Sequence, residues 1–484
     1  MAREIEAAVQ MKLYTMTKRK LAGVFIIFFL CFSLSVVVGL LGPQVVYTDA
    51  HEEELMTNVY GAKMFSITTG MELNSLNQQL WLLATPSARP VENDTSMEGE
   101  VTPTLHLFYL DDEGVERPIM YKPGPDHKRV ISCSEQQCNT LLLFHLGYID
   151  KLSYKVTVQL EGLDRIGLFD SVLFEFKTYK SAFTQLEIWF RAFFLALTFV
   201  VTIVYTRSLR IYHWKDWSIE QKWMMWLLPL LLLYNNPLFA LAFLLSSAVP
   251  PVVDGIFQAF FLSSLLLFWL CIYHSIRQPK RTFCKFYLPK LMLVGLIWLS
   301  AIVLATWQAI NERTDPGYNY KVDTVNFTGF KVLLLILASL YTLYLLYLLI
   351  RDFIELRNVA YFDLRLKFTA VFMMIVFSIS LAILVLRFGT GILDENFVSD
   401  ISTHYGSSAE FLTFYGLLNF YIYTMAFVYS PSKNAMNESR LHDNPVITML
   451  TDSDEDVMYG SADETAYRPL SRNTFMNKFD ADSD

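Results

Sequence analysis

The sequence predicts a polytopic α-helical membrane protein with an N-terminal anchor helix, a lumenal or extracellular β-sandwich and a bundle of seven further helices. Hydrophobic residues form 53% of its 484 residues and charged residues only 18%, below the roughly 25% of soluble domains. Eight apolar windows are long enough to cross a bilayer, and a polar stretch of domain length separates the first from the others. Basic residues are concentrated in alternate loops, which indicates an orientation.

The eight apolar windows each hold about 20 residues, the length that a helix needs to cross the hydrocarbon core. They are 21–41, 186–205, 223–245, 254–273, 291–308, 331–350, 368–387 and 410–429. The first follows Lys18, Arg19 and Lys20, as the apolar region of a signal peptide would. It is longer than such regions, and no clear Ala-x-Ala cleavage site follows it. We therefore expect a retained anchor helix over 21–41, with a cleaved signal peptide as the alternative.

The Lys and Arg residues of the short loops predict the orientation. Four alternate segments carry eighteen of these residues, whereas the three opposite loops carry two. The basic segments are 1–20, 206–222, 274–290 and 351–367, and the opposite loops are 246–253, 309–330 and 388–409. Because basic loops stay in the cytosol, the N-terminus 1–20 and the tail 430–484 are predicted to be cytosolic. Residues 42–185 are then lumenal or extracellular.

Two kinds of covalent modification are predicted on the outer side. N-glycosylation sequons occur there at Asn93 and Asn326, whereas a third at Asn437 falls on the cytosolic side and is expected to be silent. Cys133 and Cys138 lie in a polar stretch that would face an oxidising compartment. We expect a local disulfide between them, with two free thiols as the alternative.

The outer stretch 42–185 has strand patterns. Residues 152–160 alternate between polar and apolar side chains, and 104–110 and 171–178 also have strand composition. A Pro-Gly-Pro-Asp turn signal stands at 123–126. Several short strands with turns between them predict a β-sandwich, a fold that serves binding or packing more often than catalysis.

Motifs of catalysis, zinc binding or nucleotide binding do not occur in the sequence, so we expect no enzyme activity, no metal and no cofactor. The charge pattern likewise predicts no nucleic-acid partner. Three ionisable residues, Arg191, Asp254 and Arg387, fall in membrane windows near the predicted outer leaflet. A buried pair of Asp254 with Arg191 or with Arg387 is one interpretation. Snorkelling of the arginines to the interface is the other.

The third window is predicted to break. It contains Pro229 and the run Asn235-Asn236-Pro237, and proline removes a backbone donor from a helix. The two amides would bond freed carbonyls, bond neighbouring helices or line a cavity. We favour packing within the bundle over ligand contact.

The tail 430–484 is acidic and aperiodic, so it is predicted to be disordered. Tyr467 and Leu470 match a Tyr-x-x-apolar sorting signal, which a coat adaptor would bind in extended form. Ser453 precedes three acidic residues and is a phosphorylation candidate. A solvated tail without either role is the alternative.

The order of anchor, β-rich outer domain and seven-helix bundle resembles the GOLD-domain seven-helix family, the group that includes the Wnt carrier Wntless. Residues 227–237 resemble the broken helix of that family, and 185–200 resemble its entry helix. The resemblance implies a GOLD-like β-sandwich on the bundle, a role in carrying secretory cargo, and a lipid-open cavity that takes an acyl chain. Asn235, Asn236 and Asp254 are the cavity candidates that it suggests.

Three functions follow as hypotheses. The first is a non-enzymatic receptor or cargo carrier of plasma-membrane or Golgi–endosomal membranes, which binds a protein, lipidated or not. The second is an orphan signalling receptor, although the Asp-Arg-Tyr and Asn-Pro-x-x-Tyr patterns of rhodopsin-like receptors are missing. The third is a transporter or channel. The sequence has no internal repeat of the kind that many transporters contain, and this counts against the third hypothesis.

Overall fold

The computed structural model describes most of the chain between residues 9 and 432. The described ranges are 9–54, 64–70, 72–89, 97–111, 115–119, 127–134, 137–166, 169–243, 249–277, 283–319, 323, 327–356, 360–388 and 407–432.

The helices account for all eight apolar windows. In chain order they are α1 Lys12–Thr15, α2 Lys18–Leu40, α3 Leu163–Ile166, α4 Ser181–Leu209, α5 Ile219–Tyr234, α6 Val249–Arg277, α7 Leu288–Thr314, α8 Phe327–Leu356, α9 Ala360–Phe388 and α10 Ser408–Tyr429. Each window falls on one of the long helices, except that the third continues past the end of α5. It runs through a break into a 3₁₀ turn at Phe239–Phe243.

Seven helical stretches among the described residues are long and apolar enough to cross a membrane. They are Lys18–Leu40, Ser181–Leu209, Ile219–Phe243, Val252–Ser275, Phe283–Leu304, Val332–Ile354 and Ser408–Tyr429. The window 368–387 lies in α9, whose described apolar stretch Lys367–Ala382 is shorter than a full span. The multi-pass fold class is therefore confirmed, and the eighth crossing stays a prediction.

The outer domain is a β-sandwich of antiparallel strands between α2 and α4. Its strands are β1 Val46–Glu54, β2 Met64–Thr68, β3 Leu80–Ala88, β4 Met97–Leu110, β5 Glu116–Pro118, β6 Arg129–Ser134, β7 Gln137–Cys138, β8 Leu141–Leu146, β9 Tyr154–Glu161 and β10 Phe169–Tyr179. One sheet runs β1-β10-β3 and continues through β7 and β6 to β4, with β8 also beside β3. The other places β5 and β9 on either side of β4, with β2 at its edge. Strand β4 joins the sheets because Met97–Val101 pairs with β6 and Thr102–Tyr109 pairs with β9.

The sandwich core follows from the predicted alternation. In β9 the side chains of Tyr154, Val156 and Val158 are buried and those between them are partly exposed. The core spans both sheets, since the ring centroids of Phe65 on β2 and Phe174 on β10 are 5.1 Å apart. Burial of such side chains stabilises the domain by roughly 1.5–3 kcal/mol each.

The anchor helix α2 is an integral part of the bundle, because it packs along α10. A Cβ on Gly39 would lie 2.5 Å from Cα of Ala409, and a Cβ on Gly416 would lie 2.6 Å from Oγ of Ser35. Small residues let two membrane helices approach this closely. The anchor and the last helix therefore share a tight interface.

The ends of the described chain meet at one end of the bundle. Met11 and Pro431 form an antiparallel bridge. The N–H of Lys12 donates to the carbonyl of Ser430 at 2.9 Å, and the N–H of Ser432 donates to that of Gln10 at 2.8 Å. The residues just before α2 and just after α10 thus lie at the same end of these helices.

Candidate functional site

The break after α5 turns two amides into the bundle. The helix begins with a capping box between Ser218 and Gln221 and contains Pro229. It ends at the cap residue Asn235, and Asn236 follows with a φ of 48°, in the left-handed region that asparagine tolerates better than most residues. Both asparagine side chains are buried as a result.

A buried arginine occupies the space beside this break. Arg191 lies on α4 with 4% of its side chain exposed. Its Nη2 is 2.9 Å from Oε1 of Glu187, one turn earlier on the same helix, and its Nη1 is 2.9 Å from Oδ1 of Asp254 on α6. The guanidinium carbon lies 3.9 Å from the ring centroid of Phe239 and 5.2 Å from that of Tyr415. Arg191 thus joins two carboxylates between aromatic rings, a geometry that favours arginine over lysine.

Three amides complete the hydrogen bonding of the two carboxylates. Nδ2 of Asn236 and Nε2 of Gln258 each donate to Asp254 at 2.8 Å. Nε2 of Gln78 donates to Oε2 of Glu187 at 3.2 Å and to Oγ1 of Thr184 at 2.9 Å. These donors lower the cost of burying two negative charges against one positive charge. We call Gln78, Glu187, Arg191, Asn236, Asp254 and Gln258 the junction cluster.

Gln78 brings the β-sandwich into the junction cluster. It follows a 3₁₀ turn at Ser75–Asn77, just before β3, and has a φ of 58°. The adjacent Asn77 donates from Nδ2 to the carbonyl of Tyr179 at 2.8 Å, where β10 ends. Since α4 begins at Ser181, the same loop holds the strand-to-helix connection and the buried charges.

A second polar network lies next to the junction cluster and contains Asn235. Its Nδ2 donates to Oγ1 of Thr198 on α4 and to Oδ1 of Asn419 on α10, each at 3.0 Å. Asn419 donates back to Oδ1 of Asn235 at 3.2 Å, and the hydroxyl of Tyr423 lies 2.6 Å from that of Thr198. The break in α5 is thus tied to the two helices that flank it.

The sequence-predicted site residues fall into three groups. Arg191, Asn236 and Asp254 come together in the junction cluster, Asn235 lies in the neighbouring network, and Cys133 and Cys138 form a disulfide between β6 and β7. Arg387 is a residue of α9, and its side chain lies outside the described part of the chain. Also outside it are Asn93, Asn326, Ser453, Tyr467 and Leu470.

Three members of the junction cluster were not predicted. The four-residue spacing of Glu187 and Arg191 places both on one face of a helix, and Asp254 and Gln258 have the same spacing. These two spacings were the features of the sequence from which Glu187 and Gln258 could have been predicted as members of the cluster. No sequence feature pointed to Gln78, because it is separated from Glu187 by 109 residues and contacts it only in the folded chain.

The arrangement supplies buried hydrogen bonds and charge rather than metal ligands. Within the residues that the structure describes, no group of three or more His, Cys, Asp or Glu side chains is placed to hold a metal ion. The contacts that the structure describes in the junction cluster are hydrogen bonds and ion pairs between the outer domain and the bundle or within the bundle.

Comparisons with known proteins agree with this architecture. Residues 180–433 match the family model of the Wntless-like transmembrane domain, and residues 63–179 match that of the TMEM181 GOLD domain. The chain is also 47% identical over 462 residues to the Homo sapiens protein named Transmembrane protein 181. That alignment covers 94% of this chain and 95% of the human protein.

Proposed function

Because the chain belongs to the Wntless-like family of multi-pass membrane proteins and carries the GOLD domain of TMEM181, we propose that it is a non-enzymatic receptor or cargo carrier of secretory and endocytic membranes. A protein ligand binds the outer domain, and both chain ends lie in the cytosol. The observation that supports this proposal is the contact of Gln78 with Glu187, because it connects the outer domain to the buried charges of the bundle. A ligand that shifts the loop of Gln78 would thereby alter the bundle.

Replacement of Gln78 tests this coupling. In cells that lack the protein, we expect specific secreted or surface proteins to be retained, and wild-type protein should restore their export. Gln78→Ala should restore it poorly at equal expression. Gln159→Ala is the matched control, because Gln159 lies on β9 and its side chain donates to Glu161 within the sandwich. Unchanged secretion and surface delivery in cells without the protein would rule out the carrier role.

A lipid or acyl chain in the bundle is a further part of the proposal, motivated by the family. The break in α5 would place it near Asn235, Asn236 and Asp254, where the backbone is irregular and polar groups are available. A photoactivatable fatty acid in living cells should label peptides of α5 and α6 around these residues. Labels confined to the exposed outer surface of α8 would contradict this placement.

The cytosolic tail is proposed to bind a coat adaptor through Tyr467 and Leu470, with phosphorylation at Ser453 as a modulator. Tyr467→Ala should slow internalisation from the cell surface. Tyr459→Ala is the control, because Tyr459 has Ala462 instead of a bulky apolar residue three positions later. Equal uptake of the two variants would show that the tail carries no such signal.

A transporter is the second candidate function, favoured by the charge balance of the junction cluster. Two carboxylates, Glu187 and Asp254, face one guanidinium inside the bundle, and such residues mark ion pathways in many transporters. Asp254→Asn should then change ion or proton flux into vesicles that contain the protein. Equal flux in wild type, variant and empty vesicles would exclude transport of the ions assayed.

A further inference from the structure

A second cluster of charges joins the outer domain to the loop between α7 and α8. Arg129 on β6 is 3% exposed, and its Nη1 and Nη2 lie 2.7 and 2.9 Å from the two carboxylate oxygens of Asp323. Nη2 also donates to the carbonyl of Gly317 at 2.8 Å. The backbone N–H of His145 on β8 donates to the carbonyl of Pro316 at 2.7 Å. The loop is thus held on one sheet of the sandwich by side chain and backbone together.

His127 lies between two carboxylates of the same loop. Its Nε2 is 2.6 Å from Oδ2 of Asp315, and its Nδ1 is 3.3 Å from Oδ1 of Asp323. All three side chains are largely buried, with 12–16% exposed. An ionised carboxylate only accepts hydrogen bonds, and a neutral imidazole has a single N–H to donate. Only the protonated ring can therefore donate to both carboxylates.

The other titratable groups around His127 have partners of their own. Lys128 pairs with Glu100 on the exposed surface, 2.8 Å away. The hydroxyl of Tyr318, whose ring centroid is 6.5 Å from that of His127, accepts a hydrogen bond from Trp307. The ring of His145 bonds to Gln79 and stacks on Trp81. Arg129 is bound to Asp323, so the described charges next to His127 are Asp315, Asp323 and Arg129.

We propose that His127, Arg129, Asp315 and Asp323 form a proton-operated clasp, which tightens the hold of the outer domain on the α7–α8 loop in acid and loosens it as the pH rises. We call these four residues the outer clasp. Arg129 supplies an attachment that is independent of pH in the range of cellular compartments, and His127 supplies the part that depends on protons. The inference does not require the carrier function, because it concerns only the contact between two parts of this chain.

The electrostatics have the sign that the clasp needs. The hydrogen bond to Asp323 raises the pKa of His127 above its ordinary 6.5; burial opposes this, and Asp315 raises the pKa further. The stabilisation from this proton is complete below 6.5 and is lost as the pH rises through the raised pKa. Burial alone would raise the pKa of Asp323, but hydrogen bonds from His127 and Arg129 lower it to about 2. The pair of Asp323 with Arg129 is therefore lost only in strong acid, whereas its bond with His127 depends on the proton of the ring.

Hydrogen exchange in the full chain tests the clasp. The protein is reconstituted in nanodiscs, and the amides of His145, Gly317 and Tyr318 are followed between about pH 5.5 and about pH 8, the range in which histidine titrates. After correction for the intrinsic exchange rate, we expect their protection to fall with rising pH. One released proton limits the change to about tenfold per pH unit.

Three variants decide the origin of the pH dependence. His127→Gln should remove it, and Asp315→Asn should reduce it while leaving the pair of Arg129 with Asp323. His51→Gln should retain it, because His51 pairs with Asp49 inside the sandwich, 3.2 Å away. A wild-type protection that is independent of pH, or the same pH dependence in His127→Gln, would overturn the proposal. If His127→Gln misfolds, an unchanged pH dependence in Asp315→Asn would overturn the proposal.

Discussion

Arg191→Met is the sharpest perturbation of the junction cluster. Arg191 is the only guanidinium among the six residues of that cluster, and its removal leaves the buried carboxylate of Glu187 and the partly buried carboxylate of Asp254 with like charge. Breaking a buried pair by removing one partner costs about 3–5 kcal/mol. We therefore expect Arg191→Met to lower the free energy of unfolding by that amount. Arg207→Met, at an exposed position near the end of the same helix, should change it by less than about 0.5 kcal/mol.

The loss should come from uncompensated charge, which makes it partly reversible. Adding Glu187→Gln and Asp254→Asn to Arg191→Met removes both carboxylates and should recover part of the stability. Glu187→Gln alone should be tolerated better than Arg191→Met, because it leaves one guanidinium facing one carboxylate. Unfolding in mixed micelles with increasing sodium dodecyl sulfate measures all these variants. Equal losses for Arg191→Met and Arg207→Met, or a triple variant less stable than Arg191→Met, would refute the reasoning.

Three further expectations concern helix packing and topology. Gly39→Ala should destabilise the contact of α2 with α10 by about 1–3 kcal/mol, since the added Cβ meets backbone, whereas Gly23→Ala meets nothing within 4 Å and should be neutral in the same unfolding assay. Asn93→Gln and Asn326→Gln should each remove one glycan, seen as a mobility shift that glycosidase abolishes in the wild type. Asn437→Gln should leave the mobility unchanged; a glycan at Asn437 would place the tail on the lumenal side and contradict the orientation.

Hydropathy predicted the membrane helices because it depends only on local composition. The ends of the windows 21–41 and 410–429 lie within three residues of the ends of α2 and α10. The window that begins at 186 misses the start of α4, because the helix begins at Ser181 and its first turn contains Ser181 and Thr184, polar residues that lower hydropathy although Thr184 is buried. Polar residues that bond to another part of the fold are invisible to an apolar window.

The junction cluster and the outer clasp were also only partly predictable from the sequence. A buried pair of Arg191 and Asp254 followed from a shared depth in the membrane, but Arg387 had equal standing in that argument. The fold shows the contact of Arg191, which lies on the helix that faces both Asp254 and the break after α5, whereas the side chain of Arg387 lies outside the described residues. The contacts of Gln78 with α4 and of His127 with the α7–α8 loop join distant parts of the chain, and no spacing in the sequence encodes them.

The two attachments of the outer domain differ in a way that predicts how it moves. At the junction cluster, Asn77 holds the carbonyl of Tyr179, and the N–H of Lys180 donates to the carbonyl of Val45 at 2.8 Å. The chain also runs directly from β10 into α4 there, so this attachment cannot separate without breaking continuous structure. At the outer clasp, the loop is held by side chains and a few backbone bonds.

Opening of the clasp should therefore pivot the sandwich about the junction. In the hydrogen-exchange experiment, the amide of Lys180 should stay protected at the pH at which that of His145 becomes exposed. Joint loss of protection at both positions would indicate detachment of the whole domain instead of a pivot.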